Sequence, residues 1–130
     1  MANDIKQFID EYKALLPLNK SISTTEAEKR AAKFLEAMAV ISDWKHSFIE
    51  TKIGQLSTQT AVYAQELAKG TAKTVTENKT TAEASEAYAA AREALEFTEN
   101  DITYLKAYFD IFTQAHLLYR NLAKGVDNFG

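Results

Sequence analysis

Residues 95–123 read LEFTENDITYLKAYFDIFTQAHLLYRNLA, and no proline or glycine interrupts them. Leu95, Thr98, Ile102, Leu105, Phe109, Phe112, His116 and Tyr119 recur at alternating steps of three and four, the spacing that lines one face of a helix. Upstream the same seam continues through Ala91, Tyr88 and Ala84, and downstream it reaches Ala123. A second seam runs beside it through Phe97, Asp101, Tyr104, Tyr108, Ile111, Ala115, Leu118 and Leu122. One helix of a two-helix hairpin needs only one seam. Two adjacent seams cover two neighbours at once: the first helix of the same chain can take one, and a second subunit is the natural candidate for the other. The alternative is a monomeric bundle in which the second segment breaks near Gly54 and folds back.

Working outward, three helical segments are predicted, at about residues 3–16, 24–69 and 81–124. In the first, Ile5, Phe8, Ile9, Tyr12, Leu15 and Leu16 form an apolar face, and Pro17 stops the helix because it lacks an N–H donor. The second opens at Ser23-Thr24-Thr25-Glu26, which fits a capping box, as does Thr25 to Glu28. Lys69-Gly70 reads as its C-terminal stop. Its apolar stripe is Ala27, Ala31, Phe34, Met38, Ile41, Trp44 and Phe48, and it continues as Ile49, Ile53, Leu56, Thr60, Tyr63 and Leu67. The stripe steps sideways near Trp44–Ile49, with Gly54 just beyond, so a kink or break is expected there. Residues 70–80 read as a polar connector, and Thr80-Thr81-Ala82-Glu83 as a capping box for the third segment. The expected fold is all-α: one domain over residues 1–130, a long antiparallel helical hairpin with a short N-terminal helix, assembling into an oligomeric bundle or ring. Tyr104, Tyr108, Phe109, Ile111, Phe112 and Leu118 are the expected oligomer interface.

Composition narrows the function classes. The 130 residues are 46% hydrophobic and 25% charged, ordinary for a soluble globular protein. Without cysteine there is no disulfide framework and no thiolate metal site or nucleophile. Apolar runs such as Ala37 to Ile41 are far short of a membrane span, and the N-terminus lacks a secretory pattern, so a cytoplasmic protein without a membrane partner is expected. Helical carboxylate metal centres use Glu-x-x-His pairs. Asp43-Trp44-Lys45-His46 is only a loose analogue, and no acid stands in the turn before His116, so no metal or other cofactor is expected. His116 lies in the seam and reads as a core histidine with one satisfied nitrogen. Phosphate-binding glycine loops and nucleophile elbows do not occur, and enzyme activity is not expected.

The net charge of −3 is spread unevenly. Base-rich spots are Lys29/Arg30/Lys33, Lys45/His46/Lys52 and the turn Lys69/Lys73/Lys79. On one hairpin these read as a solvated face. Repeated around a ring they would form a basic track for nucleic-acid backbone, with Lys45 and Lys52 one heptad apart.

Ser42-Asp43-Trp44-Lys45-His46-Ser47-Phe48-Ile49 resembles the Trp, then Lys-His-Ser-x-Ile pattern of UvsY-type recombination mediators of tailed phages. Asp101-Ile102, Leu105, Tyr108, Ile111 and Arg120 are similar to that family's acidic-then-aromatic ending. The resemblance covers roughly residues 20–125. It implies an oligomeric helical ring that binds single-stranded DNA and assists loading of a RecA-like recombinase while single-strand-binding protein is displaced. On that reading Lys29, Arg30, Lys33, Lys45, His46, Lys52, Lys69 and Lys73 are the expected DNA contacts. The chain departs from the family in Gln59 to Leu67, where no Lys or Arg occurs. The rival expectation is a non-enzymatic helical adaptor, a virion assembly subunit or a phage-encoded inhibitor acting through protein–protein contacts.

Overall fold

The structure is a computed structural model and describes residues 1–125. Among them are four helices: α1 (Asn3–Lys13), α2 (Thr24–Ala68), α3 (Val75–Glu83) and α4 (Glu86–Ala123). The fold is all-helical, with the long helices α2 and α4 packed against each other. Its contacts cluster into two compact units, residues 1–46 with the described residues from 103 onward, and residues 47–102.

Each helix boundary has a local cause. α1 ends at Lys13, earlier than expected, because Leu15 and Leu16 donate to the carbonyls of Tyr12 and Lys13 and tighten the last turn ahead of Pro17. α2 starts as expected, with Ser23 Oγ accepting from the Glu26 N–H at 3.1 Å. The Glu26 carboxylate turns instead to Arg30, at 3.5 Å. α2 passes through Gly54 as one element, so the expected break does not occur.

The third predicted segment is two helices, not one. Thr74 caps α3 through Oγ1, which accepts from the Glu77 N–H at 3.1 Å. Thr80, expected to open a helix, lies inside α3 and its hydroxyl donates to the Thr76 carbonyl. Ser85 opens α4, its Oγ accepting from the Tyr88 N–H at 3.1 Å. Gly70 is required for a reason other than a left-handed cap. A Cβ there would lie 2.5 Å from Asn78 Oδ1. Asn78 reaches back to residue 72, accepting from the Ala72 N–H at 3.0 Å and donating to its carbonyl at 3.3 Å. The left-handed cap is Gly125, at φ 71°, just past the end of α4.

The first unit has the denser core. Ile5 and Ile9 of α1, Ala31, Phe34 and Ile41 of α2, and Leu105, Phe112 and Tyr119 of α4 are buried. Phe34 stacks on Tyr119 with 6.0 Å between centroids and lies 5.5 Å from Phe112. Tyr12 brings α1 onto both Phe34 and Phe112. The α4 seam is therefore buried where the spacing placed it.

The second unit is different. Its buried side chains are Ala82, Leu95 and Thr98, and the Thr98 hydroxyl donates to the Ala94 carbonyl. Its half-buried positions on α2 are Phe48, Lys52, Gln55, Gln59, Val62, Tyr63, Glu66 and Leu67. Of the expected continuation of the apolar stripe, Ile49, Ile53 and Leu56 are 36%, 64% and 43% exposed, whereas Tyr63 and Leu67 are half-buried, with Tyr63 5.4 Å from the Tyr88 ring. Gln59 Nε2 donates to the Tyr88 hydroxyl at 3.4 Å, while Gln55 Oε1 is buried without a hydrogen-bond partner. An unsatisfied buried acceptor is destabilising. Gln55→Met keeps the side-chain length and removes it, and is expected to stabilise the fold by about 1 kcal/mol. Urea unfolding should show a higher midpoint at unchanged slope; an unchanged or lower midpoint would contradict this account of Gln55.

Candidate nucleic-acid interface

The expected DNA contacts have unequal freedom. On α2 in the first unit, Lys29 and Lys33 are exposed one helical turn apart. Arg30 between them turns inward. Its Nη1 donates to the Tyr119 hydroxyl at 3.2 Å, its Nε lies 3.5 Å from Glu26, and its guanidinium stands 5.6 Å from the Tyr119 ring centre. The Tyr119 hydrogen bond holds the Arg30 pKa above its usual value. Arg30 is thus a structural cation. Lys45 is half-buried, with its ammonium 5.7 Å from the centre of the Phe109 ring. His46 is exposed.

Lys52, Lys69 and Lys73 belong to the second unit, so Lys45 and Lys52 have separate surroundings. Lys52 is half-buried, Lys69 pairs with Glu66 at 3.1 Å, and Lys73 is exposed in the loop before α3.

The sequence reading missed two further bases in the first unit. Arg120 and Lys124 line a cleft of about 320 Å³ with Glu28, Ala31 and Ala123. The antiparallel pairing of α4 with α2 brings the last turn of one beside the first turns of the other. The available signal was the pair of bases, Arg120 and Lys124, near the end of the third segment. A second cleft, of about 290 Å³, is lined by Glu11, Tyr12, Leu15 and Lys33.

Of the expected interface residues, Phe112 is corrected outright. It is fully buried within the chain by rings from α1 and α2, which leaves it no surface for a partner. Tyr108 packs on Tyr104 and Phe112, and the Lys13 ammonium of α1 stands 5.2 Å from its ring. Part of the second seam is therefore covered by the chain's own first helix. Phe109 and Leu118 are half-buried, and Ile111 is 41% exposed. Trp44 meets Phe8 edge to face at 5.1 Å.

His116 Nδ1 lies 2.7 Å from the Ala31 carbonyl oxygen, so this nitrogen carries the proton. Burial raises the pKa of Tyr12, helped by Glu36 and Glu11, and burial raises that of Tyr104. The Tyr108 hydroxyl raises that of Lys13. Among the described residues no group of three or more His, Cys, Asp or Glu could hold a metal ion, and no helix is long and apolar enough to cross a membrane.

No protein-family model, curated protein or solved structure matches the chain.

Tyr119 is the side chain on which the arrangement turns, since its hydroxyl also accepts from the Asn19 N–H at 3.1 Å. Tyr119→Phe keeps the ring packing and leaves both donors unpaired. A loss of about 1–2 kcal/mol is expected in chemical denaturation. A loss below a few tenths would mean that solvent replaces the hydroxyl.

Proposed function

We propose that this chain acts by binding, as a recombination mediator that holds single-stranded DNA as an oligomer and assists loading of a RecA-like recombinase. The observation that carries the reading is the exposed cationic set of the first unit. Lys29 and Lys33 are free on one face of α2, and Arg120 and Lys124 line a cleft against that same helix. Ammonium and guanidinium groups on rigid helices contact phosphate without reading bases, which gives sequence-tolerant, salt-sensitive affinity. The resemblance of Ser42 to Ile49 to the UvsY-type mediators adds the recombinase and single-strand-binding protein as partners.

One observation favours the rival reading. The outward apolar positions Ile49, Ile53 and Leu56 suit contact with protein, as in an adaptor, a virion assembly subunit or an inhibitor.

Anisotropy of a labelled oligo-dT at low salt separates the two. The mediator reading expects saturable binding that Lys29→Ala with Lys33→Ala weakens, as does Arg120→Ala with Lys124→Ala. Each lost phosphate contact should flatten the salt dependence by a slope of roughly 0.7. Lys45→Ala is expected to have less effect, because its ammonium is already placed over Phe109. If the wild-type chain does not retain the oligonucleotide at low salt, the mediator reading fails and the protein–protein reading replaces it.

A further inference from the structure

We infer that the cleft between the start of α2 and the end of α4 receives one guanine nucleotide. Arg120 and Lys124 meet its phosphate, and the Glu28 carboxylate meets the Watson–Crick edge of its base. For a base within a strand this rests on the single-strand-binding reading above, and it adds a modest base preference to a sequence-tolerant affinity.

The cleft is about 320 Å³ and is lined by Glu28, Ala31, Arg120, Ala123 and Lys124. That volume is at the lower end for small-molecule sites. Its three charged side chains are exposed, and among the described residues none of them is engaged in an ion pair or a side-chain hydrogen bond. The apolar part of the lining is two alanine methyls, which fill little of the space.

The two sides of the cleft are held from behind. Tyr119, one residue before Arg120, accepts from the Arg30 guanidinium at 3.2 Å. His116, one turn before Arg120, donates from Nδ1 to the Ala31 carbonyl at 2.7 Å. Both bonds join α4 to α2, so the separation of the two walls is set before a ligand enters.

Glu28 selects the ligand. A cleft for phosphate alone gains nothing from a carboxylate, which repels it. A carboxylate only accepts, and its two oxygens suit two parallel donors. Guanine alone among the DNA bases presents two adjacent donors on its Watson–Crick edge, N1–H and the N2 amino group. The amino groups of adenine and cytosine stand beside ring acceptors that a carboxylate repels, and the thymine N3–H lies between two carbonyls. Pairing with cytosine occupies the guanine edge in a duplex, so the same contact selects guanine and an unpaired base.

Free and strand-borne guanine are two sources of this chemistry, and each has its own arm in the experiment. In the first, alanine methyl NMR signals of the full chain are followed as dGMP or dTMP is added to millimolar concentration. Ala31 and Ala123 should shift with dGMP and much less with dTMP, and Glu28→Gln should remove the difference. In the second, oligo-dT carrying one central guanine should bind roughly fivefold tighter than plain oligo-dT, the low end for a bidentate contact to a base. Glu28→Gln should tighten plain oligo-dT, by removing a repelling charge, and abolish the guanine advantage. Annealing the complementary strand should abolish it too. A dGMP response without a guanine advantage in the strand assigns the cleft to the free nucleotide, and plain oligo-dT alone decides the mediator reading. The inference is overturned if dGMP and dTMP move the two alanines alike or not at all, if Glu28→Gln keeps the preference for guanine, or if the duplex retains it.

Discussion

The buried Tyr119 side chain organises the first unit. Its ring stacks on Phe34, and its hydroxyl accepts from both the Asn19 backbone and the Arg30 guanidinium. A fully buried phenol is stable only when its oxygen finds partners. Those partners come from the connector after α1 and from α2. One side chain of α4 thereby sets where the connector lies, which removes one cation from the surface. The same requirement explains why the triplet Lys29, Arg30 and Lys33 divides into two outward lysines and one inward arginine. A planar, weakly hydrated guanidinium can stand beside a ring and donate to its hydroxyl, which a lysine ammonium does less well.

α2 carries two patterns that do not agree. In the first unit its inward positions are Ala27, Ala31, Phe34, Ala37 and Ile41, small residues alternating with large ones. In the second unit the same helix directs Lys52, Gln55, Gln59 and Glu66 partly inward and its isoleucines outward. Glu66 is half-buried, and its carboxylate is paired with Lys69 at 3.1 Å.

The α4 seam was legible because one uninterrupted period controls it, and burial of Leu95, Leu105, Phe112 and Tyr119 follows that period. The α2 start was legible because Ser23 stands three residues before Glu26 at the edge of an apolar run. Thr74 and Ser85 were not legible as caps, since Thr74, Thr76, Thr80, Thr81 and Ser85 all offer similar hydroxyls within a dozen residues. Only tertiary packing decides which of them opens a helix. The apolar stripe of α2 was legible from Ala27 to Phe48 and again at Tyr63 and Leu67, but Ile49, Ile53 and Leu56 between them are exposed, because periodicity reports that residues share a face and not what that face meets. At the candidate site, single lysines were legible as charges, but the commitments of Arg30 to Tyr119 and of Lys45 to Phe109 depend on residues more than sixty positions away.

The polar seam of the second unit has a consequence for how the chain breathes. Local opening exposes whatever surface a segment buries, and it requires least free energy where that surface is small and already hydrated. Around Gln55 and Gln59 little apolar surface is lost when α2 parts from α4, whereas around Phe34 a stack of rings must separate. Backbone amides near Gln55 should therefore exchange with deuterated solvent through sub-global openings, long before those near Phe34, which await unfolding of their whole unit. One unbroken helix thus carries two exchange regimes, divided by which side chains it turns inward.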